Sequence, residues 1–277
     1  MNIRFVSDSS ANLLQGEQED LYCVPLQIVV GQNTFVDGPG ETVERMLSTL
    51  RVHKGKTSTA CPGVGDWLES FGDADIVYGA AITSGLSGCW QAGNIAAQEY
   101  MQLHPERKVY ILDTLSTGPE QELIMEKYRE LAKAGMDFNQ VCAEIRRYSA
   151  GTRLRFSLAS LENFARNGRI SKAVATAVGI LGIRVVGRAS AEGTLEPQHK
   201  VRGEKKAMEK LAQSVLADGY RGGKLRISHT QNPEGAKMLE TLIRREYPEA
   251  DIRIRDNRLL CAYYAETGGV LVGYECS

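Results

Sequence analysis

Through its first 150 residues this chain alternates short apolar runs with segments of helical period, and that rhythm constrains its fold more than any other feature. Ile3–Val6, Val24–Val30, Ile76–Ile82 and Val109–Leu112 read as strands. Thr42–Leu50 sets Val43, Met46, Leu47 and Leu50 on one helical face. Val64–Phe71 and Ser87–Leu103 are further helices, the second with Ile95, Ala96 and Tyr100 facing inward. Glu120–Lys133 is a helix stopped at Gly135, and Asp137 caps another that runs to Tyr148 and ends at Gly151. Strands and helices in alternation predict a largely parallel sheet covered by helices. Ligands of such sheets bind beyond the carboxyl ends of the strands. Asp8, Ser84 and Asp113 each come just past a predicted strand, so they are expected on one rim.

The second half has a different pattern. Leu154–Leu158 is strand-like, and Leu161–Arg166 is a short helix ended by Asn167-Gly168. Ser171 is placed to cap a helix to about Ile183. Ile183–Arg188 and Thr194–Gln198, joined by S-A-E-G, predict a β-hairpin. Helices over Glu204–Leu216 and Glu234–Tyr247 enclose a strand at Leu225–Ser228, and Ile252–Ile254 and Val270–Tyr274 complete the sheet. The expected fold class is therefore α/β, with an N-terminal α/β domain over 1–155 built on a parallel sheet. A C-terminal α/β domain over 156–277 carries a mixed sheet, and a ligand site is expected between the two. A chain of 277 residues is long enough for either one large or two modest domains.

Charge narrows the function. Lys and Arg number 33 against 34 Asp and Glu, so nothing global favours nucleic acid. No apolar run approaches the roughly 18 residues that a membrane-spanning helix needs, and M-N-I-R-F-V-S-D-S-S is too short in its apolar part for a signal peptide. Six cysteines, at 23, 61, 89, 142, 261 and 276, are scattered without a C-x-x-C pair. That scatter points to reduced thiols, a cytoplasmic location and no zinc site.

Several catalytic signatures nearly match and fail. G-K-T-S at Gly55–Ser58 has Leu50 where a P-loop needs glycine, and a helix rather than a strand precedes it. S-G-L-S-G is not G-x-S-x-G. Cys61 is a conceivable nucleophile with His229 as base, and Asp8 another catalytic candidate, but only spatial adjacency to a partner would make either a site. More telling is A-I-T-S-G-L-S-G-C-W-Q at Ala81–Gln91, where a strand gives way to a helix through Ser84, Gly85, Ser87 and Gly88. Hydroxyls and backbone N–H groups at a helix start favour a carboxylate or phosphate. The plainer reading of the stretch by itself is a helix cap at Ser84 or Ser87 with a glycine turn. Thr57, Ser58 and Thr59 add three hydroxyls in a predicted loop. Small residues Ala173, Ala175, Ala177, Gly179 and Gly182 leave room for close packing or for an apolar ligand. Arg169 and Arg202 lie in loop-like positions suited to a phosphate or an acidic partner.

Taken in order, these segments resemble the DegV family of bacterial fatty-acid-binding proteins. S-D-S-S-A-N-L at Ser7–Leu13, K-T-S-T-A-C-P-G, I-T-S-G-L-S-G-C-W-Q and V-Y-I-L-D-T each resemble a family segment, and L-E-N-F-A-R-N-G-R-I-S, K-V-R-G-E-K-K and I-S-H-T-Q-N-P-E-G-A follow where expected. The resemblance implies two α/β domains around a fatty-acid tunnel. It implies that Thr57 and Ser87 hold the carboxylate, with Ser58, Ser84, Gly85 and Glu266 around it. It further implies a carrier rather than an enzyme, with no cofactor, that presents its fatty acid to a fatty acid kinase through Arg169 and Arg202. The acyl phosphate then serves phospholipid synthesis, with transient contact at the membrane surface. Three positions depart from the family pattern. Glu266 stands where the family has histidine, Thr59-Ala60 replaces its Q-P, and Pro119–Glu122 replaces a glycine-rich run. Two carboxylates in proximity repel unless one is protonated or a cation intervenes. The alternative reading is thus a divergent binding or regulatory module, for another lipid or small ligand whose headgroup Glu266 selects.

Overall fold

In the computed structural model, residues 2–17, 20–171 and 182–276 are described. Three of the four predicted strands assemble as expected, joined by Leu21–Val24, which shares only Val24 with the fourth. Strands β1 (Ile3–Asp8), β2 (Leu21–Val24), β6 (Ile76–Ala81) and β7 (Lys108–Asp113) form one sheet in the order β2-β1-β6-β7, with every pair parallel. β6 is buried along its whole length, as a central strand of a helix-covered sheet must be. Helices α2 (Val64–Phe71) and α3 (Cys89–Leu103) pack on one side, with Trp67, Phe71, Ala96 and Tyr100 in a core with Val6 and Val77. On the other side, α4 (Gly118–Lys133) and α5 (Phe138–Ala150) bury Ile124, Tyr128 and Ile145 against Phe5 and Tyr78. Asp137 caps α5 by accepting from the Gln140 N–H at 3.0 Å.

The second sheet is mixed. Its strands are β8 (Thr152–Leu158), β9 (Ile183–Ala189), β10 (Leu195–Arg202), β11 (Lys224–His229), β12 (Asp251–Asp256) and β13 (Val270–Glu275), in the order β10-β9-β8-β13-β11-β12. Only β11 and β12 run parallel. The predicted hairpin is β9–β10, turning at Gly193, where φ is +71°. α6 (Glu162–Arg166), α7 (Glu204–Ala217) and α8 (Pro233–Glu246) belong to this half, and α7 and α8 bury Met208, Leu211, Leu239 and Ile243 against the sheet. The helix expected from Ser171 falls almost wholly on 172–181, outside the described residues.

Four local expectations are corrected. Val24–Val30 is not one strand, because Pro25 has no N–H to give a ladder. The chain leaves the parallel sheet there, Leu26 donating its N–H to Ser9 Oγ at 3.0 Å. It then enters a third sheet, β4-β3-β5, made of β3 (Gln27–Val30), β4 (Asn33–Val36) and β5 (Thr57–Ala60). Thr57–Thr59 is therefore edge strand, not loop. Ile95 is 52% exposed, because the buried face of α3 runs through Gly93, Ala96, Ala97 and Tyr100. A helix absent from the sequence reading, α9 (Leu259–Ala265), packs on α1 (Val43–Val52) and β3.

Candidate functional site

Both neighbours of β6 end in an aspartate, and these two side chains hold the loop that follows it. Asp8, at the end of β1, accepts from the Ile82 N–H at 2.6 Å and from Cys89 Sγ at 3.2 Å. Asp113, at the end of β7, accepts from the Ser84 N–H at 3.1 Å. Asp8, Ser84 and Asp113 thus share one rim, as parallel strands require. Thr83 completes the clamp, donating its hydroxyl to the Gly193 carbonyl at 2.9 Å and its N–H to that of Ser116 at 2.8 Å. Gly85 serves close approach: a Cβ there would lie 2.5 Å from the Glu192 carbonyl oxygen. Ser87 Oγ accepts from the Cys89 N–H at 3.3 Å, at the start of α3.

Below this loop is a cavity of about 320 Å³, at the small end of ligand pockets, which span roughly 300–1,000 Å³. Its walls are mostly apolar. β8 supplies Leu154, Phe156 and Leu158 from one face at the two-residue spacing of a strand. Leu195 and Leu271 come from β10 and β13, Phe164 from α6, and Leu260, Tyr264 and Ala265 from α9. Polar groups are few: Thr59 and Cys61 from β5 and its exit, Ser87 and Gly88 from the loop, Thr117 before α4, and Arg169. Arg169 is exposed and forms no ion pair among the described residues.

α9 is placed by a cap distant in sequence. The buried Asp37 carboxylate accepts from the N–H groups of Leu259 and Leu260 at 3.1 and 3.0 Å. Burial raises its pKa, and these bonds and the Arg258 charge oppose the rise. Once placed, α9 ties to β5 through two tyrosines: the hydroxyls of Thr57 and Tyr263 are 2.5 Å apart, and those of Thr59 and Tyr264 2.8 Å.

The predicted site residues separate accordingly. Ser87 lines the cavity. Thr57 does not; from β5 it is Thr59, two residues on and on the same face, that reaches the wall, while Thr57 is engaged with Tyr263. Ser58, Ser84 and Gly85 are exposed and line none of the cavity. Glu266 lies in a separate cleft with Arg51, Lys54 and Arg166. Its carboxylate accepts from Ser160 Oγ at 2.9 Å and from the Asn163 N–H at 3.2 Å, closing the start of α6. Burial raises the Glu266 pKa, and these two bonds oppose it. The headgroup selection expected of Glu266 therefore lacks the geometry it needs. Arg202 is exposed at the end of β10, away from the cavity.

Nor does the fold assemble a nucleophile and base from the earlier candidates. Cys61 lines the apolar cavity, whereas His229 lines another cleft with Glu41 and Asp256. Asp8 is fully buried and also accepts from Ser10 and Gln121. Burial holds the Cys89 and Cys261 thiols protonated, the latter pushed up to about 12. Among the described residues no group of three His, Cys, Asp or Glu could hold a metal ion. The sequence shows Thr59 only as one of three hydroxyls in a predicted loop, where a two-residue period would group it with Thr57, and Tyr264 goes unread because its helix, α9, does.

Known proteins share this fold. The family profile described as "Uncharacterised protein, DegV family" matches residues 2–275. A DegV domain-containing protein of Streptococcus pneumoniae is 38% identical over 252 residues, covering 91% of this chain and 90% of its own. The crystal structure of a DegV family protein from Eubacterium eligens, loaded with heptadecanoic acid, superposes with a TM-score of 0.96 at 40% identity, covering 99% of this chain and 100% of that one. The Streptococcus pneumoniae fatty acid kinase B3 protein, loaded with linoleic acid, gives a TM-score of 0.97 at 35% identity over 100% of both chains.

Proposed function

This chain belongs to the DegV family, and from that premise we propose that it binds a long-chain fatty acid in the apolar cavity and presents the carboxylate to a fatty acid kinase. The observation that carries the reading is the cavity itself: a largely apolar space, its polar groups few, in a fold whose relatives were crystallised with fatty acids. A buried carboxylate needs donors, because an unpaired buried charge is costly. Ser87 and Thr59 offer hydroxyls, and Arg169 brings a positive charge that no partner among the described residues neutralises. The acyl chain lies along Phe156, Leu158 and Leu271. Thr57 acts one step removed, fixing Tyr263 and with it α9. Arg169 and Arg202, both exposed, are the positions proposed to face the kinase. In this role the protein is a cytoplasmic carrier that contributes binding rather than a reacting group.

Extraction of the purified, denatured protein followed by mass spectrometry tests the reading. A fatty acid at one equivalent per chain is the expected result. Protein that carries none, and takes up neither added heptadecanoic nor linoleic acid, overturns it.

A further inference from the structure

Leu154 lines two spaces. On one side is the apolar cavity; on the other is a cleft of about 520 Å³ with different chemistry. The cleft is bounded by the ends of β7 and α5, the start of β8, and the β9–β10 turn. Three arginines from three elements line it: Arg146 from α5, Arg153 from β8 and Arg188 from β9.

The donors of these arginines are mostly unused. Arg146 offers Nη1 to Tyr110 Oη at 3.4 Å. Arg153 gives Nη1 to the carbonyls of Ala150 and Thr152 at 2.7 and 2.6 Å. Arg188 gives Nε to Glu196 at 2.9 Å. Each guanidinium has five N–H donors, so both remaining nitrogens of every fork are open. The carboxylates lining the cleft, in contrast, are engaged within the protein. Asp113 accepts from the N–H groups of Ser84 and Leu115, both at 3.1 Å. Asp218 is held by Arg155, at 2.5 and 2.7 Å, and by Tyr274. Glu120 accepts from Ser116 and Thr152, and burial pushes its pKa up to about 7. Asp218 is cancelled by Arg155 and Glu196 by Arg188, which leaves Asp113 against Arg146 and Arg153. The cleft keeps a surplus of positive charge.

A second observation concerns its lip. Leu115 is 40% exposed and has φ +49°. A bulky residue in the left-handed region is a costly exception, of the kind that gathers at ligand clamps. With Leu112, Leu154, Ala189 and Ala191 it gives the cleft an apolar side.

We infer that this cleft binds a phosphate ester, with the phosphate on Arg146, Arg153 and Arg188 and the body of the ligand against Leu115 and its apolar neighbours. The open nitrogens of three planar guanidinium forks suit the several oxygens of a phosphate, more of them than a carboxylate can engage. The inference is independent of fatty-acid binding.

Calorimetric titration of the whole protein with ATP and with inorganic pyrophosphate, at low salt, tests it. The expected result is saturable one-to-one binding of at least one of them. In the R146Q/R153Q/R188Q variant that binding weakens about tenfold or more, and it falls with added salt. These arginines are exposed, and glutamine keeps most of their stems, so the variant should keep the wild-type melting temperature and its uptake of heptadecanoic acid. ATP should bind more tightly than pyrophosphate, its nucleoside resting on the apolar side; equal affinity overturns the placement of the ligand's body against Leu115. No binding of either by the wild-type protein, or binding undiminished in the variant, overturns the inference.

Discussion

Ser87 has two tasks, because its Oγ accepts from the Cys89 N–H while it lines the apolar cavity. Ser87→Ala removes a donor to the proposed carboxylate, and hydrogen bonds to charged groups contribute about 1.5–3 kcal/mol. Fatty-acid affinity, read by displacement of a fluorescent fatty acid, should fall by that amount. Unchanged affinity would move the headgroup elsewhere. Glu266 gives the converse case. Its carboxylate closes the start of α6 outside the cavity. Glu266→Ala should therefore cost about 1 kcal/mol of stability, as the loss of a helix cap does, with affinity unchanged. Glu266→Gln keeps an acceptor and should recover most of that stability; a change in affinity for either variant would restore Glu266 to the headgroup. From the sequence, the Ser87 hydroxyl was legible as a polar group near a helix start and that of Thr57 as one of three in a predicted loop. Which of them meets the cavity was not, because that depends on β5 being a strand and on Tyr263 and Tyr264 arriving from α9.

Elements with a period of their own could be read from the chain, and elements defined by distant partners could not. α4 and α5 have apolar periodicity and local stops, and the structure extends them by only two residues at one end each. α9 has neither property. Leu259, Leu260, Cys261, Ala262, Tyr263 and Ala265 are all buried, so no polar face reveals a period. Its cap, Asp37, lies more than 200 residues earlier. Asp37→Ala should leave the N–H groups of Leu259 and Leu260 without acceptors and Arg258 without its ion pair. An unsatisfied buried group costs about 1–3 kcal/mol. The urea midpoint should fall accordingly, and fatty-acid uptake should weaken with it, because α9 supplies Leu260, Tyr264 and Ala265 to the cavity. Asp37→Asn keeps one acceptor and should lie between the two. Loss of stability with full uptake would show that the cavity does not depend on the cap.

At the scale of the whole molecule, the α/β class and the change from a parallel to a mixed sheet were both legible, since alternating and clustered patterns differ along the chain. How the halves meet was not. α4 lies between the first two sheets, and its N-terminal half is buried from Gly118 to Met125. Gly273 of β13 admits it: a Cβ there would run into the Pro119 and Glu120 backbone. The fully buried Arg226 of β11 holds Glu126 of α4 through two bonds of 2.7 Å. The division we propose near residue 155 falls within β8, against this interface. Polar residues at Pro119–Glu122 are thus interior, and Glu120 makes the interface sensitive to pH. Burial raises its pKa from 4.5 to about 7, against the opposing bonds from Ser116 and Thr152. The folded protein therefore keeps a proton that the unfolded chain releases between those values. Stability falls as pH rises through that window, and the cost persists above it. The shift corresponds to about 3 kcal/mol at full development. Glu120→Gln has no such proton to lose and can still bond both hydroxyls. Its urea midpoint should exceed that of the wild-type protein above pH 7 and converge on it as pH falls below 4.5. Glu122, also raised to about 7 by burial, titrates in both proteins and cancels from the difference. A difference independent of pH would mean that Glu120 stays charged in the folded protein and that the interface accommodates it.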